Sequence, residues 1–340
     1  MSIDARACAA ALGLFPLLLA SACSTPVQTS GNPLFAGWYA DPEGALLAGR
    51  YWIFPTTSAP YDEQLSFDAF SSDDLLHWTK HERVLSTAEI RWASRALWAP
   101  SVIEQRGRTY LFFAANDLQR PGGPLWDASD ARSHSGGIGV AVAERPEGPY
   151  RDLLGHPLVD EFHNDAQPID PFVFRDDDGA LYLVYGGWGH CNVARLDDEL
   201  DGFVAWPDGS TFREITPAGY VEGPVLFRRE GQLYFLWSEG SWGDGTYRVA
   251  YALGESPAGP FTRVGTILEQ QSSVATGAGH NSVLRIPGSD EWLIVYHRRP
   301  IPNAGRDHRV TCIERLEFDD TGRILPVRMT FEGVEARPLR

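Results

Sequence analysis

Glu222 stands in Tyr220-Val221-Glu222-Gly223-Pro224-Val225-Leu226-Phe227, a lone acid in an otherwise apolar, strand-like run. A carboxylate is costly to keep in apolar surroundings, so such a residue is paired, protonated or functional. Two further stretches repeat the arrangement: Tyr39-Ala40-Asp41-Pro42 and Pro168-Ile169-Asp170-Pro171-Phe172. Acids of this kind gathered at one point are equipped for proton transfer, one giving and another taking. Taken singly, Asp-Pro and Glu-Gly-Pro are also ordinary turn chemistry. What matters is whether the chain brings them together.

A repeat would do so. One phrase recurs along the chain: a turn, a polar residue, then an aromatic and apolar run. It reads Gly49-Arg50-Tyr51-Trp52-Ile53-Phe54, then Gly107-Arg108-Thr109-Tyr110-Leu111-Phe112-Phe113, then Gly179-Ala180-Leu181-Tyr182-Leu183-Val184-Tyr185. It continues as Gly231-Gln232-Leu233-Tyr234-Phe235-Leu236-Trp237 and, in degenerate form, Asp290-Glu291-Trp292-Leu293-Ile294-Val295-Tyr296. Continuous apolar runs of this length are strands buried on both faces. The same interval separates Trp98 from Tyr110, Asp170 from Tyr182, Glu222 from Tyr234 and His280 from Trp292, and a shorter one separates Asp41 from Tyr51. Glu147-Gly148-Pro149-Tyr150 and Ala258-Gly259-Pro260-Phe261 mark a second shared phase. Five such units predict an all-β, five-bladed β-propeller forming a single domain over residues 32–340. The first strand of every blade lines the axis of such a ring. Asp41, Trp98, Asp170, Glu222 and His280 are therefore expected to face one another across its mouth. Two long stretches, Leu118 to Gly137 and Asp160 to Asp165, interrupt the repeat and read equally as site-lining loops or as surface excursions.

Asp41 in Ala-Asp-Pro, Asp170 in Ile-Asp-Pro and Glu222 in Glu-Gly-Pro resemble, in order and spacing, the motif set of glycoside hydrolase family 43, from about Asn32 to the C-terminus. That family comprises five-bladed propellers: arabinofuranosidases, xylosidases, arabinanases and a few galactosidases. The resemblance implies inverting hydrolysis with Asp41 as general base, Glu222 as general acid and Asp170 as the acid that positions Glu222 and tunes its proton affinity. Inversion needs an acid and a base on opposite faces of the sugar, about 6.5–9.5 Å apart, with a water between. The apolar neighbours Val221 and Val225 are expected to keep Glu222 protonated near neutrality. Trp98 is expected to stack on a sugar ring or to pack the channel. Arg309 matches an arginine reaching the sugar, with Arg298 and Arg299 as competitors. The resemblance makes His280 an axial histidine contacting an ion, frequently calcium, directly or through water. A lone imidazole is not a calcium site, so a hydrogen-bonded structural role stands beside that reading. The chemistry itself requires no cofactor. The expected activity is an exo-acting α-L-arabinofuranosidase on arabinan or arabinoxylan, with β-xylosidase second and endo-arabinanase and β-galactofuranosidase as further alternatives. A retaining hydrolase of the invertase and levansucrase kind fits less well, because the second motif lacks its arginine. A non-catalytic glycan-binding propeller stands as the alternative outside enzymology.

Composition narrows the partners. The 340 residues carry a formal net charge of −16, which repels nucleic acid and anionic membranes and suits a neutral oligosaccharide better than a polyanion. Residues 1–22, with Arg6 before an apolar run from Ala7 to Ala20, read as a signal segment. Leu19-Ala20-Ser21-Ala22-Cys23 resembles a bacterial lipoprotein box, with Cys23 as lipid acceptor, residues 23–31 as a tether and a periplasmic or cell-surface location. Any membrane association would then run through that lipid alone. Cys191 and Cys312 each sit in a strand-like run and read as two buried thiols.

Overall fold

Each aromatic phrase becomes the second strand of a sheet. In the computed structural model, which describes residues 27–115, 136–302 and 305–339, the first sheet runs β1 (Tyr39–Leu47), β2 (Arg50–Thr57), β3 (Ser66–Ser72) and β4 (Thr79–Ser86). The second runs β5 (Leu97–Gln105), β6 (Arg108–Ala115), β7 (Gly137–Ala143) and β8 (Arg151–Asp152). The third is β9 (Phe172–Arg175), β10 (Leu181–Tyr185), β11 (Asn192–Leu196) and β12 (Phe203–Val204), with β13 (Phe212–Glu214) also on β11. The fourth is β14 (Glu222–Arg229), β15 (Gln232–Glu239), β16 (Arg248–Gly254) and β17 (Phe261–Leu268). The fifth has three strands, β18 (Ala275–Arg285), β19 (Trp292–Pro300) and β20 (Val310–Leu316). The expected signal segment and Cys23, and the loop from residue 116 to 135, lie outside the described residues.

Period-two alternation on the second strands explains why both faces are apolar. Trp52 and Phe54 pack with Leu111 and Phe113 between the first and second sheets. Tyr110 and Phe112 pack with Leu183 and Tyr185 between the second and third. Tyr182 and Val184 meet Phe235 and Trp237, and Tyr234 and Leu236 meet Ile294 and Tyr296. Leu293 and Val295 then return to Tyr51 and Ile53 of the first sheet. The contacts close a ring of five blades. Each fully buried side chain of this size stabilises the ring by roughly 1.5–3 kcal/mol relative to exposure.

The fifth blade lacks an outer strand of its own. The segment entering β1 covers the edge of β20 instead: Leu34 N–H donates to Thr311 O (3.0 Å), Tyr39 N–H to Arg309 O (2.8 Å), and Ile313 N–H to Asn32 Oδ1 (2.9 Å). The expected tether also joins the fold before Asn32. Thr29 bridges Glu335, and Ser30 and Gly31 donate to the carbonyls of Val334 and Glu332. The far end is stitched to the first blade, where Arg337 and Leu339 donate to the carbonyls of Asp74 and Asp73. Cys191 and Cys312 are buried, free thiols.

Candidate active site

Four of the five inner strands are distorted at their start. Pairing registers shift between Ala40 and Glu43, Trp98 and Ser101, Glu222 and Val225, and Gly279 and Asn281. At these points, and at Asp170 just ahead of β9, the backbone turns left-handed, with φ of 46° at Asp41, 44° at Ala99, 53° at Asp170, 65° at Gly223 and 37° at His280. A side chain in this region costs about 1–2 kcal/mol, and such strain gathers at functional sites. The five-fold phase is thus real, but it corrects the sequence alignment by one residue. Trp98 and Glu222 precede the left-handed position that Asp41, Asp170 and His280 occupy. The prolines mark the true phase: Asp41-Pro42, Ala99-Pro100, Asp170-Pro171 and Gly223-Pro224, with Asn281 in the fifth blade. Glu222 therefore leaves its strand from a different backbone position than the other two acids.

One pocket nevertheless receives all the expected side chains. Asp41, Trp98, Asp170, Glu222, His280 and Arg309 line it together with Tyr61, Ile169 and Trp242, around an empty volume of about 420 Å³.

The acids are held in opposite protonation states. Burial, the largest single influence, pushes Asp41 upward, but the Arg309 guanidinium, 3.3 Å from Oδ1, overcomes it together with His280 and His297. Asp41 is held well below the usual carboxylate range. Its own amide donates to His297 Nδ1 (3.1 Å). That nitrogen is therefore unprotonated, and burial keeps the His297 ring neutral, with a pKa near 3. The approach of His297 Nδ1 to Asp41 Oδ1 at 3.3 Å is consequently no ion pair, and Arg309 supplies the charge.

Glu222 goes the other way. Burial raises it, the Tyr247 hydroxyl donating to Oε1 (2.8 Å) pulls it down, the Asp41 charge pushes it up again and Arg309 lowers it, leaving it at about 7. Asp170 is raised by burial first, then by Glu222 and Asp41, while the Gly223 amide donates to its Oδ2 (3.0 Å). The like-charge effect expected on Glu222 thus falls on Asp170, and the two titrate as a pair. The Gly223 contact also ties Asp170 to the residue beside Glu222, which fits a positioning acid.

Of the three arginines, only Arg309 reaches the pocket. Its Nε donates to Ser58 Oγ (2.9 Å) and its NH1 faces Asp41. Arg298 is spent on Tyr296 and the Thr330 carbonyl, and Arg299 on the carbonyls of Arg306 and Asp244. Trp98 donates through Nε1 to Gln64 and meets Tyr61 edge-on at 4.9 Å. Its indole N–H is satisfied, and it forms a wall of the pocket. His280 presents Nδ1 to Asp41 and Asp170 at 3.5 and 3.6 Å, and its amide donates to Ser238 Oγ (2.9 Å). The ring thus stands between two acids without a hydrogen bond to either, and the backbone amide carries the bond to Ser238. Among the described residues, no group of three His, Cys, Asp or Glu side chains is arranged to hold a metal ion, so the expected axial calcium finds no cage of direct side-chain ligands there. Sequence reading missed Tyr61, Trp242, Tyr247 and His297. Only His297 carried a signal, as a polar residue ending the fifth aromatic run.

A five-bladed ring with an ionised acid and a protonated acid in one aromatic-walled mouth defines a glycoside hydrolase. Comparison with known proteins agrees. The sequence profile of glycosyl hydrolases family 43 matches residues 30–324. A β-D-galactofuranosidase of Aspergillus niger is 43% identical, over 96% of each chain. A xylosidase/arabinosidase of Bacteroides ovatus is 27% identical, over 88% of this chain and 98% of its own. The solved α-L-arabinofuranosidase of Clostridium thermocellum superposes with a TM-score of 0.68 at 26% identity, covering 87% of this chain and 95% of that one. The protein belongs to glycosyl hydrolase family 43, and it hydrolyses glycosidic bonds with the inversion typical of that family.

Proposed function

We propose that the protein is an exo-acting furanosidase that releases terminal β-D-galactofuranosyl groups, with α-L-arabinofuranosyl groups as its second substrate. The observation that carries the catalytic part is the opposed pair in one pocket: Asp41 ionised by Arg309, Glu222 protonated to about 7 by burial. In the first half of the step Asp41 accepts a proton from water as the water oxygen attacks the anomeric carbon. In the same transition state Glu222 gives its proton to the departing glycosidic oxygen on the other face. Tyr247 engages Oε1 of Glu222, leaving the second oxygen for that transfer. Asp170, through the Gly223 amide, keeps the strand start that carries Glu222 in place. Solvent then returns the proton from Asp41 to Glu222.

The choice of sugar rests on the 43% identical β-D-galactofuranosidase, which moves this substrate ahead of the arabinofuranoside expected from sequence. The two sugars share ring configuration; galactofuranose adds one carbinol to the exocyclic carbon. A site shaped for the larger group also admits the smaller, and the likeness to an α-L-arabinofuranosidase supports keeping it second. A panel of p-nitrophenyl β-D-galactofuranoside, α-L-arabinofuranoside and β-D-xylopyranoside tests this, with the galactofuranoside expected to show the highest kcat/KM. Preference for the xylopyranoside, or retention at the anomeric carbon by NMR, would overturn the proposal.

A further inference from the structure

Three loops from three blades meet at the rim of the pocket. Tyr61 comes from between β2 and β3, Trp242 from between β15 and β16, and Arg306 from between β19 and β20. The Arg306 guanidinium lies 5.2 Å from the Tyr61 ring and 4.8 Å from the Trp242 ring. Both rings line the pocket, whereas Arg306 is not among its lining residues. Its other charged neighbour is Asp307, with Nε 3.4 Å from Oδ1. The clasp is supported from inside the fifth blade. Arg299 is 2% exposed, and it donates through Nε to the Arg306 carbonyl (3.1 Å) and through NH1 to the Asp244 carbonyl (3.2 Å). One buried guanidinium thus fixes the backbones of the fourth- and fifth-blade loops, and the second bridges the rings of the first- and fourth-blade loops. Arg309 also reaches the Trp242 ring (5.1 Å), which links the rim to the residue that ionises Asp41.

We propose that Arg306 is a specificity-determining positioning residue: by bracing Tyr61 and Trp242 it shuts the side of the mouth formed by the first, fourth and fifth blades, so that only an unextended terminal unit enters. This deepens the exo-furanosidase reading and rests on it. Cation–π contacts at a partly exposed site are worth enough to hold two rings in register yet weak enough to leave the fold intact when removed. Removing Arg306 should therefore change what enters and leave the ring of blades unaltered.

The test compares wild type with Arg306→Ala on p-nitrophenyl β-D-galactofuranoside and on the same glycoside extended at its non-reducing end by a second furanosyl unit, turnover of the extended compound being read as the initial release of the intact disaccharide. On the unextended compound, KM should rise about three- to tenfold with kcat nearly unchanged, the size expected for two exposed cation–π contacts. The ratio of extended to unextended turnover should rise about tenfold. General damage would lower both substrates together and leave that ratio alone. Hydrogen exchange on the same proteins, read at residues 61–64, 241–247 and 305–309, should be faster in the variant and unchanged elsewhere. An unaltered turnover ratio overturns the proposal, whatever the exchange shows. If wild type cleaves no aryl glycoside, the furanosidase reading falls by itself, and exchange equal to wild type in all three loops then overturns the clasp.

Discussion

Glu222 and Asp41 differ by what surrounds each carboxyl, and that difference makes their variants separable. Glu222→Gln should lose about 10²- to 10⁴-fold on substrates with poor leaving groups and far less on activated aryl glycosides, because only the former need the proton. Asp41→Asn should fail on both alike. Steady-state kinetics on one substrate of each kind decides, and equal losses in Glu222→Gln would remove it as the acid. The acid, raised to about 7, is competent while protonated. kcat/KM should therefore hold below that value and fall as pH rises through it. Asp41, held low by Arg309, sets no limb near neutrality. Tyr247 stabilises the ionised form of Glu222, so Tyr247→Phe should move the alkaline limb to higher pH, readable in a kcat/KM profile. An unmoved limb would mean that another group titrates there.

At the scale of elements, the inner-strand starts deliver the chemistry, and their backbone is specific. Gly223 adopts φ +65°, and a Cβ there would lie 3.3 Å from both His280 Nδ1 and Ser238 Oγ. Gly223→Ala should destabilise the fold by about 1–2 kcal/mol and lower kcat by displacing the amide that holds Asp170. Thermal melts and kinetics together check this, and a variant with native Tm and kcat would show the bulge to be incidental. These strand starts also show what was readable beforehand. The aromatic runs were legible as second strands because burial on both faces leaves no polar positions, as in Leu181 to Tyr185. Asp41, Asp170 and Glu222 were legible because each acid interrupts such a run beside a Pro. Counting back from the aromatic residues misphased Trp98 and Glu222 because the hairpin between first and second strands is one residue shorter there, with Ile103 opposite Tyr110 and Phe227 opposite Tyr234, than in the third blade, with Phe174 opposite Tyr182. The prolines, which follow the left-handed residue in four blades, were the better ruler. Tyr247 and Trp242 were illegible because they lie at or ahead of a third strand, where the repeat sets no phase. They reach the site only through the fold.

The molecule as a whole is a ring closed by its own ends, and a buried acid sits at the closure. Glu314 on β20 accepts hydrogen bonds from Asn32 Nδ2 (3.0 Å) and from the Thr330 amide (2.6 Å). Burial raises its pKa to about 7 against an ordinary value of 4.5. Between those values the native state holds a proton that the unfolded chain has released. The contribution of this group is thus fully present below about 4.5 and lost as pH rises through about 7. Glu314→Gln should flatten that dependence, removing roughly 1–3 kcal/mol of the stability difference between mildly acid and mildly alkaline buffer; denaturant titrations at two pH values measure it. The bridge from Thr29 to Glu335 has a further consequence. Thr29 and Glu335 lie side by side, so the linear order of the blades is not dictated by the ring they form. A circular permutant with a short linker across that bridge and new termini at the Gly288 turn, where no atom crowds the backbone, should fold to the same enzyme.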